Sequence, residues 1–486
     1  MKTNRRDFIK TAGLAGTGMV AGSVASCSDT PSPAIYDIDK DRGSQIFNMC
    51  GYAAPKLDVI RMGFIGIGNM GTRAVQRMRL LEGVQIRALC DLHMDRVERA
   101  QEFLEEMQMP PAAAYADGSH DLWKKMVEEE DLDLVYICTP RAQHTEQCVI
   151  SMENGAHVAT EIPASATLDE CWQLVETSER TRKYCCMIEN CTYDFWEIMV
   201  LNMVHEGFFG EICHVDMAYI ADQRNTNLRK DLEWRTREFI NRNGNIYPTH
   251  GLGPGCQILG INRGDQLDYM TSISSNDFTM GLEIERRAKE DDYYQPFIGQ
   301  WELGNMNTSI LRTEKGKTMM LQYMVGNPRP GTRVHWVVGS RGISKKQPRP
   351  FRISHEDYGN RWLNDEELKA LEEKYTPPII RIAGEMARKV GGHGGMDWIK
   401  EWRLIDCLRN GLPLDMDVYD AASWSAIVPL SEWSVANYGS PVKVPDFTRG
   451  AYKTNPPVDV AMKLGGGDTR ARSIPDKPID DPYEVY

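Results

Sequence analysis

The stretch NIYPTHGLGPGCQIL (245–259) places Tyr247 and His250 at the Gly- and Pro-rich start of an apolar helix. Histidine has the side chain whose unperturbed pKa lies closest to neutrality, so it can take up or release a proton near pH 7. Tyrosine can do the same where a nearby positive charge lowers its pKa. A spacing of three at a helix start brings both rings to one side of the turn. The pair therefore indicates proton transfer on a ligand in a shared pocket, although such a histidine taken alone is more often structural.

A glycine-rich loop nearer the start of the chain has the spacing of a dinucleotide-binding turn. Gly66, Gly68 and Gly71 follow the apolar strand DVIRMGFI and open a helical segment. The first glycine allows the tight turn, the second lets the backbone approach a pyrophosphate, and the third lets helix and strand pack closely. Asp91 ends the next strand, 20 residues beyond Gly71, where a carboxylate binds the ribose hydroxyls of adenosine and repels a 2'-phosphate. The loop predicts NAD as the cofactor in preference to NADP.

The elements that must position these residues divide the chain into two fold types. Over residues 58–190 apolar strands alternate with helices, which predicts an α/β Rossmann domain with a doubly wound parallel sheet. Over residues 191–450 the runs become β-rich, with a hairpin at EKGK, and predict an α+β substrate domain on a largely antiparallel open sheet. Residues 28–57 are predicted to be a tether, and residues 451–486 a wrapping tail.

Composition and charge exclude several classes of protein. The chain has 486 residues, 42% of them hydrophobic, and is long enough for two or three domains. Its net charge of -13, without a long basic cluster, argues against nucleic acid as a partner. The 12 cysteines are scattered, and no CxxC pair or His/Cys spacing predicts a metal site. The expected ligand is a small molecule or a glycan.

The first 27 residues have the layout of an export signal. Arg5 and Arg6 precede Phe8 and a short Gly/Ala-rich run, as in twin-arginine signals. The run ends in VASC, which resembles a bacterial lipobox with Cys27 as the lipidated residue. The sequence therefore predicts export to the periplasm or cell envelope, with membrane contact only through a lipid anchor at Cys27.

Strings beyond the glycine loop resemble two nested families. Thr139-Pro140 followed by His144, and the string TEIP (160–163), resemble the glucose-fructose oxidoreductase, inositol dehydrogenase and MocA superfamily. Longer strings between residues 58 and 450, such as IENCTYDFWEIM, GNIYPTHGLGPGCQ and GGHGGMDWIKEWRLIDCL, resemble glycoside hydrolase family 109, the NAD-dependent α-N-acetylgalactosaminidases. That resemblance implies an enzyme in which bound NAD+ oxidises carbon 3 of the sugar. Carbon 2 then loses a proton, the aglycone is eliminated, water adds and the hydride is returned.

The resemblance also implies which residues meet the cofactor and the substrate. It assigns proton transfer to Tyr193, Tyr247 and His250, and leaves both Tyr193 and His250 open as the base. The implied cofactor-binding residues are Gly66, Gly68, Asn69, Met70, Gly71, Asp91, Arg141, His144, Glu161, Ile162, Asn190 and Tyr247. The implied substrate-binding residues are Tyr219, Arg235, Tyr247, Pro248, Thr249, His250 and His393.

Three positions depart from the patterns of these families. Ile162 stands where the dehydrogenases of the superfamily carry a lysine that assists hydride transfer, which argues against an ordinary sugar dehydrogenase. Arg141 stands where family 109 usually has a tryptophan, and Gly331 replaces a tyrosine that contacts the sugar. Loss of that tyrosine ring is expected to change the preferred sugar or the placement of the aglycone.

Two other functions compete with the glycosidase. A sugar or cyclitol dehydrogenase of the parent superfamily would accumulate NADH with its substrate. A catalytically silent carbohydrate-binding lipoprotein would bind sugar without turnover, and the intact set of Tyr193, Tyr247 and His250 argues against it. By analogy, the exposed face of the second domain's sheet is where a homodimer would form.

Overall fold

The computed structural model describes residues 35–479. The predicted signal with Cys27 lies outside the described residues, as do positions 28–34 of the predicted tether and 480–486 of the predicted tail. Within the described part, no helix is both long and apolar enough to cross a membrane.

Six parallel strands form the first sheet, in the order β3-β2-β1-β4-β5-β6. This confirms the predicted doubly wound parallel sheet. The order reverses between β1 and β4, and loops at the carboxyl ends of strands beside such a switch point form a ligand-binding crevice. The strands are β1 (Ile60–Ile65), β2 (Val84–Cys90), β3 (Ala113–Tyr115), β4 (Leu134–Ile137), β5 (His157–Thr160) and β6 (Cys185–Met187).

Five helices alternate with these strands. Because strands of such a sheet are covered on both faces, they are nearly continuous apolar runs, and Ile60, Met62 and Phe64 of β1 are fully buried. The last helix begins with a capping box, in which Thr167 and Glu170 each accept a backbone N–H of the other. The helices are α1 (Asn69–Met78), α2 (Met94–Glu106), α3 (Leu122–Glu129), α4 (His144–Glu153) and α5 (Leu168–Thr181).

The second sheet has eight strands in the order β13-β12-β11-β7-β10-β9-β8-β14. Every neighbouring pair is antiparallel except β7 with β10, which confirms a largely antiparallel sheet. The predicted hairpin at EKGK joins β9 to β10. The strands are β7 (Ile212–Ile220), β8 (Leu267–Ser274), β9 (Asn307–Thr313), β10 (Thr318–Met324), β11 (Thr332–Gly339), β12 (Gly342–Lys345), β13 (Arg352–His355) and β14 (Val442–Lys443).

The helices of the second region include the one that carries His250. That helix lies directly on β7, because a Cβ added at Gly251 would come within 2.8 Å of the backbone nitrogen of Ala218. The glycines of GLGPG therefore serve close helix-to-sheet packing. The helices are α6 (Phe195–His205), α7 (Arg224–Asn227), α8 (Glu233–Phe239), α9 (Thr249–Leu259), α10 (Met280–Ala288), α11 (Asp365–Tyr375), α12 (Pro378–Val390), α13 (Met396–Asn410) and α14 (Val418–Ala436).

Helix α13 is fixed against the first sheet by buried charges. Arg77 of α1 donates two hydrogen bonds to Glu401 of α13, at 2.8 and 2.7 Å, and both side chains are fully buried. The Tyr136 hydroxyl of β4 donates to the same carboxylate at 3.0 Å. Because removing either ion would leave the other unpaired in the interior, this pair fixes α13 against α1 and the inner strand β4 of the parallel sheet.

The described part of the predicted tether packs onto the folded chain. The Tyr419 hydroxyl of α14 accepts the side-chain amide of Gln45 at 2.7 Å and the backbone N–H of Met49 at 3.1 Å. The Tyr184 hydroxyl accepts the N–H of Ala54 at 2.6 Å. Residues 45–54 therefore lie against both α14 and the start of β6.

Candidate functional site

A cavity of about 260 Å³ lies where α1, the ends of β5 and β6, and the second region meet. Its walls come from segments far apart in sequence, which is the usual construction of a ligand site at a switch point. Ten of the predicted site residues line it: Asn69, Met70, Glu161, Ile162, Asn190, Tyr219, Arg235, Tyr247, His250 and His393.

The glycine loop beside this cavity has the geometry of a pyrophosphate cradle. Gly66 has a φ of +86°, and a Cβ added at Gly71 would come within 2.0 Å of the Gly66 carbonyl oxygen. Gly68 faces open space instead, where a Cβ would meet only Arg96, at 3.9 Å. It also caps the start of α1 without a side-chain hydrogen bond, so the first N–H groups of that helix remain available to an anion. The loop therefore fits a dinucleotide.

Asp91 holds the loop as well as facing the adenosine side. Its Oδ2 accepts the backbone N–H of Ile67 at 2.6 Å, and its Oδ1 accepts that of His93 at 3.0 Å. Arg96 lies 3.2 Å from the same carboxylate. One carboxylate thus fixes the turn between Gly66 and Gly68 and remains at the end of β2, where the ribose hydroxyls of NAD are bound in this fold.

His250 is backed by a buried carboxylate. Its Nδ1 lies 2.8 Å from Oε1 of Glu189, a fully buried residue that also accepts the N–H of Cys191 at 2.9 Å. Burial alone would raise the pKa of Glu189, but the interaction with His250 and the hydrogen bonds lower it to about 2. The carboxylate is therefore ionised, and it fixes the imidazole so that Nε2 is left for a ligand.

Tyr247 packs edge-on against His250, with ring centroids 5.1 Å apart, and both side chains line the cavity. Tyr219 lies against both rings, at 5.4 and 4.8 Å. Burial raises the pKa of Tyr247 well above its usual range, and Tyr219 adds to this, while Arg235 acts in the opposite direction. The Tyr247 hydroxyl is therefore suited to donating a hydrogen bond, and is a poor base near neutral pH.

His393 has a buried carboxylate partner of its own. Its Nδ1 lies 2.7 Å from Oδ2 of Asp397, and Asn190 donates to Oδ1 of the same residue at 2.9 Å. Burial would raise the pKa of Asp397, but Lys400, His393 and Arg77 hold it well below its usual range. His393 itself has a φ of +46° within a run of glycines at positive φ, so the loop backbone is held in an uncommon conformation beside the cavity.

Comparisons with known proteins fit this two-part construction. Residues 60–189 match the family model for the oxidoreductase family, NAD-binding Rossmann fold, and residues 193–454 match that for glycosyl hydrolase 109, C-terminal domain. The chain belongs to glycosyl hydrolase family 109. It is a glycoside hydrolase that uses NAD.

The similar proteins cover almost the whole chain. Glycosyl hydrolase family 109 protein 1 of Bacteroides fragilis is 42% identical over 456 residues, which is 90% of this chain and 95% of that protein. An alpha-N-acetylgalactosaminidase of the same species is 44% identical over 415 residues (84% and 96%), and one of Shewanella oneidensis is 39% identical over 463 residues (94% and 98%). Levoglucosan dehydrogenase in complex with NADH and L-sorbose shares the fold, with a TM-score of 0.60 and 16% identity over 80% of this chain and 100% of that one.

Two residues implied to bind cofactor, His144 and Arg141, are absent from the lining of the cavity of this family 109 enzyme, and their assignment to the cofactor stays a prediction. Both ring nitrogens of His144 contact backbone carbonyls, Nδ1 that of Pro163 at 2.8 Å and Nε2 that of Thr139 at 2.7 Å. The buried Arg141 donates to the Ile246 carbonyl at 2.6 Å and pairs with Glu238 at 3.0 Å. These contacts hold both side chains against the loops that follow β4 and β5 and the segment before α9, and neither side chain lines the cavity.

Tyr193, implied to transfer a proton, does not line this cavity, and its role stays a prediction. Its hydroxyl donates to Oδ2 of Asp415 at 3.0 Å, in a small adjoining pocket lined by Arg403 and by Lys400, which also lines the main cavity. Burial raises the pKa of Tyr193 well above its usual range, and Asp415 adds to this. The side chain therefore contacts the buried ion pair of Asp415 with Arg403, and its surroundings favour the protonated hydroxyl.

Other implied residues shape the walls without lining them. Pro248 caps the start of α9, and Thr249 is fully buried in its first turn, so neither lines the cavity to which it was assigned. Gly66, Gly68, Gly71 and Asp91 build the loop next to the cavity and are likewise absent from its lining. After Gly331, the lining continues with Thr332 and Arg333, so the position of the missing tyrosine adjoins the site.

Sequence reasoning missed the buried partners of the site. Glu189, Asp397 and Lys400 are all at most 3% exposed, and each contacts a residue that lines the cavity or lines it itself. His393 and Asp397 are only four residues apart, but His393 precedes α13 at a φ of +46°, so their contact depends on the glycine-rich turn and not on helical spacing. No local signal joins Glu189 to His250, which are 61 residues apart.

Glu189, Cys191 and His250 are also the one group among residues 35–479 whose metal-binding atoms all lie within 4.8 Å of one another. The Cys191 sulfur lies 3.2 Å from Nδ1 of His250. A distance of 2.8 Å between His250 Nδ1 and Glu189 Oε1 is that of a charge-assisted hydrogen bond. The cluster is therefore accounted for as a hydrogen-bonded pair with a neighbouring thiol.

Proposed function

We propose that this enzyme hydrolyses terminal α-N-acetylgalactosaminides, or closely related glycosides, by redox-neutral elimination and water addition. The observation that carries the proposal is that His250, held by the buried Glu189, lines the same cavity as Asn69 and Met70 of the cofactor loop. The relatives named alpha-N-acetylgalactosaminidase support the choice of sugar. Bound NAD would supply a reversible acceptor for the hydride on carbon 3 of the sugar.

His250 is the proposed base for the proton on carbon 2. Elimination needs a group that accepts this proton near neutral pH, and an imidazole whose second nitrogen is fixed by a carboxylate meets that need. Among the described residues, hydrogen bonds of His250 involve only Nδ1, so Nε2 is the nitrogen left to the substrate.

His393 is the proposed second proton carrier. The oxygen that leaves carbon 1 must gain a proton, and the incoming water must lose one. His393 lines the same cavity and has the same type of support, a buried carboxylate at Nδ1. Two imidazoles with separate carboxylates can hold different protonation states in one site, which is what an acid and a base acting together require.

The test uses protein lacking residues 1–27 and p-nitrophenyl α-N-acetylgalactosaminide without added NAD. Nitrophenol and NADH are followed together by absorbance. We expect nitrophenol release with no lasting NADH signal, and a loss of kcat of about 10²- to 10⁴-fold in His250→Ala, since that is the usual contribution of a general acid or base. His214→Ala is the matched control, because His214 bonds Thr318 and Asp216 outside the cavity.

Three results separate the competing functions. Accumulation of NADH without nitrophenol would replace the glycosidase by a dehydrogenase. Calorimetric binding of N-acetylgalactosamine without any turnover would replace it by a sugar-binding protein. No reaction and no binding would exclude this sugar, and Arg141 and the region of Gly331 would then direct the search to other glycosides.

We further propose that the enzyme is exported by the twin-arginine route and anchored through Cys27. The paired Arg5 and Arg6, Phe8 and the string VASC support this. Cell fractionation should place the full-length chain in the membrane fraction of the envelope, and Cys27→Ser should release it. A full-length chain that stays in the cytoplasm would contradict export.

A further inference from the structure

Two fully enclosed lysines in this chain have opposite surroundings. Lys346 lies 2.7 Å from a carboxylate oxygen of Asp194 and 2.7 Å from one of Glu197, so its ammonium is fully paired. Lys400, on α13, is 3% exposed and lines the cavity. Burying an unpaired cation costs free energy, so the pairing of each lysine indicates whether its role is structural or is to bind a ligand.

The ammonium of Lys400 is held in place but not saturated. Its Nζ lies 3.6 Å from Glu161 and 3.5 Å from Asp397, both beyond ordinary hydrogen-bond distance. Among the described residues its one hydrogen bond goes to the carbonyl of Ile188, at 3.3 Å. An ammonium has three N–H donors. Lys400 therefore keeps donors for an oxygen atom that enters the cavity.

The carboxylates around Lys400 favour its charged form. Burial alone would lower its pKa, but Glu161, Asp397 and Glu401 raise it above the usual range. A group that stays protonated does not serve as a base. Its contribution is a fixed positive charge with free donors, which is the arrangement that stabilises negative charge on a substrate oxygen.

The residues around Lys400 indicate where in the cavity a substrate oxygen would accept its hydrogen bond. Glu161, Ile162 and Asn190 line the same part of the cavity, at the carboxyl ends of β5 and β6. Helix α13 is locked to the parallel sheet through Arg77 and Glu401, so the ammonium is presented from a rigid element. A substrate oxygen held there lies at the carboxyl ends of β5 and β6, in the same cavity as Asn69 and Met70 of the cofactor loop.

We propose that Lys400 is a catalytic residue that donates a hydrogen bond to the oxygen on carbon 3 of the sugar. This inference depends on the proposed function. The sugar reaches this step with carbon 3 oxidised to a ketone. When the base takes the proton from carbon 2, the C–H electron pair forms a C2=C3 bond, the π pair of C3=O moves to the oxygen, and that oxygen becomes negative. That charge then re-forms the C3=O bond, the new double bond lies between carbons 1 and 2, and the C1–O bond breaks. The departing oxygen takes a proton from an imidazole. Lys400 stabilises the intermediate negative charge.

The test compares Lys400→Met and Lys400→Gln with the wild type and with Lys346→Met. Four quantities are measured: kcat and KM on the nitrophenyl glycoside, exchange of the carbon 2 hydrogen with deuterated water by NMR, binding of N-acetylgalactosamine by calorimetry, and retained NAD. Melting temperature shows which variants are folded. Lys346→Met is the matched control, because it removes an equally buried ammonium that does not line the cavity.

Lys400→Met should lower kcat and carbon 2 exchange together by about 100-fold, the usual cost of removing one donor to a developing oxyanion. KM and the affinity for the free sugar should change by less than about fivefold, because the interaction is strongest in the charged intermediate. Lys400→Gln, which keeps a donor without the charge, should retain part of the rate and tests the role even if Lys400→Met does not fold. Lys346→Met should lower the melting temperature and leave exchange per folded molecule within about threefold.

Exchange in folded Lys400→Met or Lys400→Gln within about threefold of the wild type would overturn the proposal. So would an equal loss of exchange in Lys346→Met, because that would make the effect structural. An active wild type with unaffected variants contradicts the role of Lys400 alone. A wild type without turnover contradicts the proposed function and this role with it.

Discussion

The cofactor loop and the histidine wall of one cavity are built on different principles. The loop works through backbone: Gly66 adopts a φ of +86°, and Gly71 lies so close to it that no side chain fits between them. The wall works through side chains held by buried carboxylates, His250 by Glu189 and His393 by Asp397. The glycines of the loop lack side chains, and this leaves space for a ligand. The histidine wall brings charged side chains together, and these determine where protons are bound.

This difference predicts how each region fails. A change at Gly71, where the loop has no room for a side chain, acts by steric conflict, so it should remove cofactor and stability together. A substitution in the histidine wall nearly keeps the shape of the cavity but changes the protonation of its side chains. It should therefore lower kcat while NAD binding and the fold are retained. The variants below test that division, from the largest expected effect to the smallest.

Gly71→Ala should have the largest effect. The added Cβ would lie 2.0 Å from the Gly66 carbonyl oxygen and 3.0 Å from its carbonyl carbon, so the turn or α1 must move. We expect a loss of about 1–3 kcal/mol in the free energy of unfolding, the usual cost of overpacking, and protein that is purified without NAD. Denaturant titration and the NAD content of the purified protein measure both.

Gly68→Ala is the matched control for the loop. Its φ is -73°, and the added Cβ would meet nothing nearer than Arg96, at 3.9 Å. The NAD-free protein should therefore keep its stability, while NAD binding weakens because the methyl group occupies the approach of the pyrophosphate. Gly71→Ala protein that retains NAD and full stability would contradict the assignment of the loop to steric exclusion.

Glu189→Gln should remove rate and keep NAD. The variant keeps the size of the side chain but replaces the ionised acceptor of His250, so the imidazole loses its fixed orientation and the stabilisation of its charged form. We expect kcat to fall by about 100-fold, within the range of a general acid or base, with NAD content unchanged. Glu179→Gln is the control, because Glu179 is equally buried and pairs with Tyr419 and Arg449 away from the cavity.

The same substitution has a signature in pH. The pKa of Glu189 falls from 4.5 to about 2 in the folded chain, so its contribution to stability is present above about pH 4.5 and is lost as the pH falls towards 2. The size of that contribution is on the order of 3 kcal/mol. The difference in unfolding free energy between wild type and Glu189→Gln should therefore shrink across this acid range. A difference that stays constant from pH 5 to about pH 2.5 would contradict the ionised state of Glu189.

The two regions also differed in how far the sequence predicted them. The spacing of Gly66, Gly68, Gly71 and Asp91 predicts the loop, because the geometry of a single turn requires each of these residue types at its position. His250 was found because Tyr247 and the Gly/Pro run stand next to it. Both sheets were predicted from the period of their apolar residues, which depends on the local chain alone.

The wall was predicted only in part, since its chemistry lies in contacts between distant segments. Glu189 stands beside Asn190 in a strand-end string, and nothing local shows that its carboxylate meets His250. Tyr193 follows in the same string, and the turn after β6 directs its hydroxyl to Asp415. In the sequence, Lys400 cannot be distinguished from other charged residues of a helix. Its place in the cavity follows only from the packing of α13 against the parallel sheet through Glu401.

Arg141→Lys should have the smallest effect. It tests the contacts by which Arg141, in the loop after β4, holds the segment that carries Tyr247. The guanidinium donates to the carbonyl of Ile246, pairs with Glu238 and lies 5.4 Å from the centre of the Tyr247 ring. Lysine keeps the charge but cannot make the forked contact with both partners. Tyr247 should then be held less firmly, raising KM by about threefold with kcat nearly unchanged, as expected for the loss of a cation–π contact.

Arg242→Lys is the control for these contacts, because Arg242 pairs with Glu238 at 3.0 Å and with Glu432 at 2.6 Å and has no contact with Tyr247. If the contacts of Arg141 act through Tyr247, KM should rise in Arg141→Lys and not in Arg242→Lys, measured on the same nitrophenyl glycoside. If both variants change KM equally, the effect acts through Glu238 and helix α8. The contact of Arg141 with Tyr247 would then not determine KM.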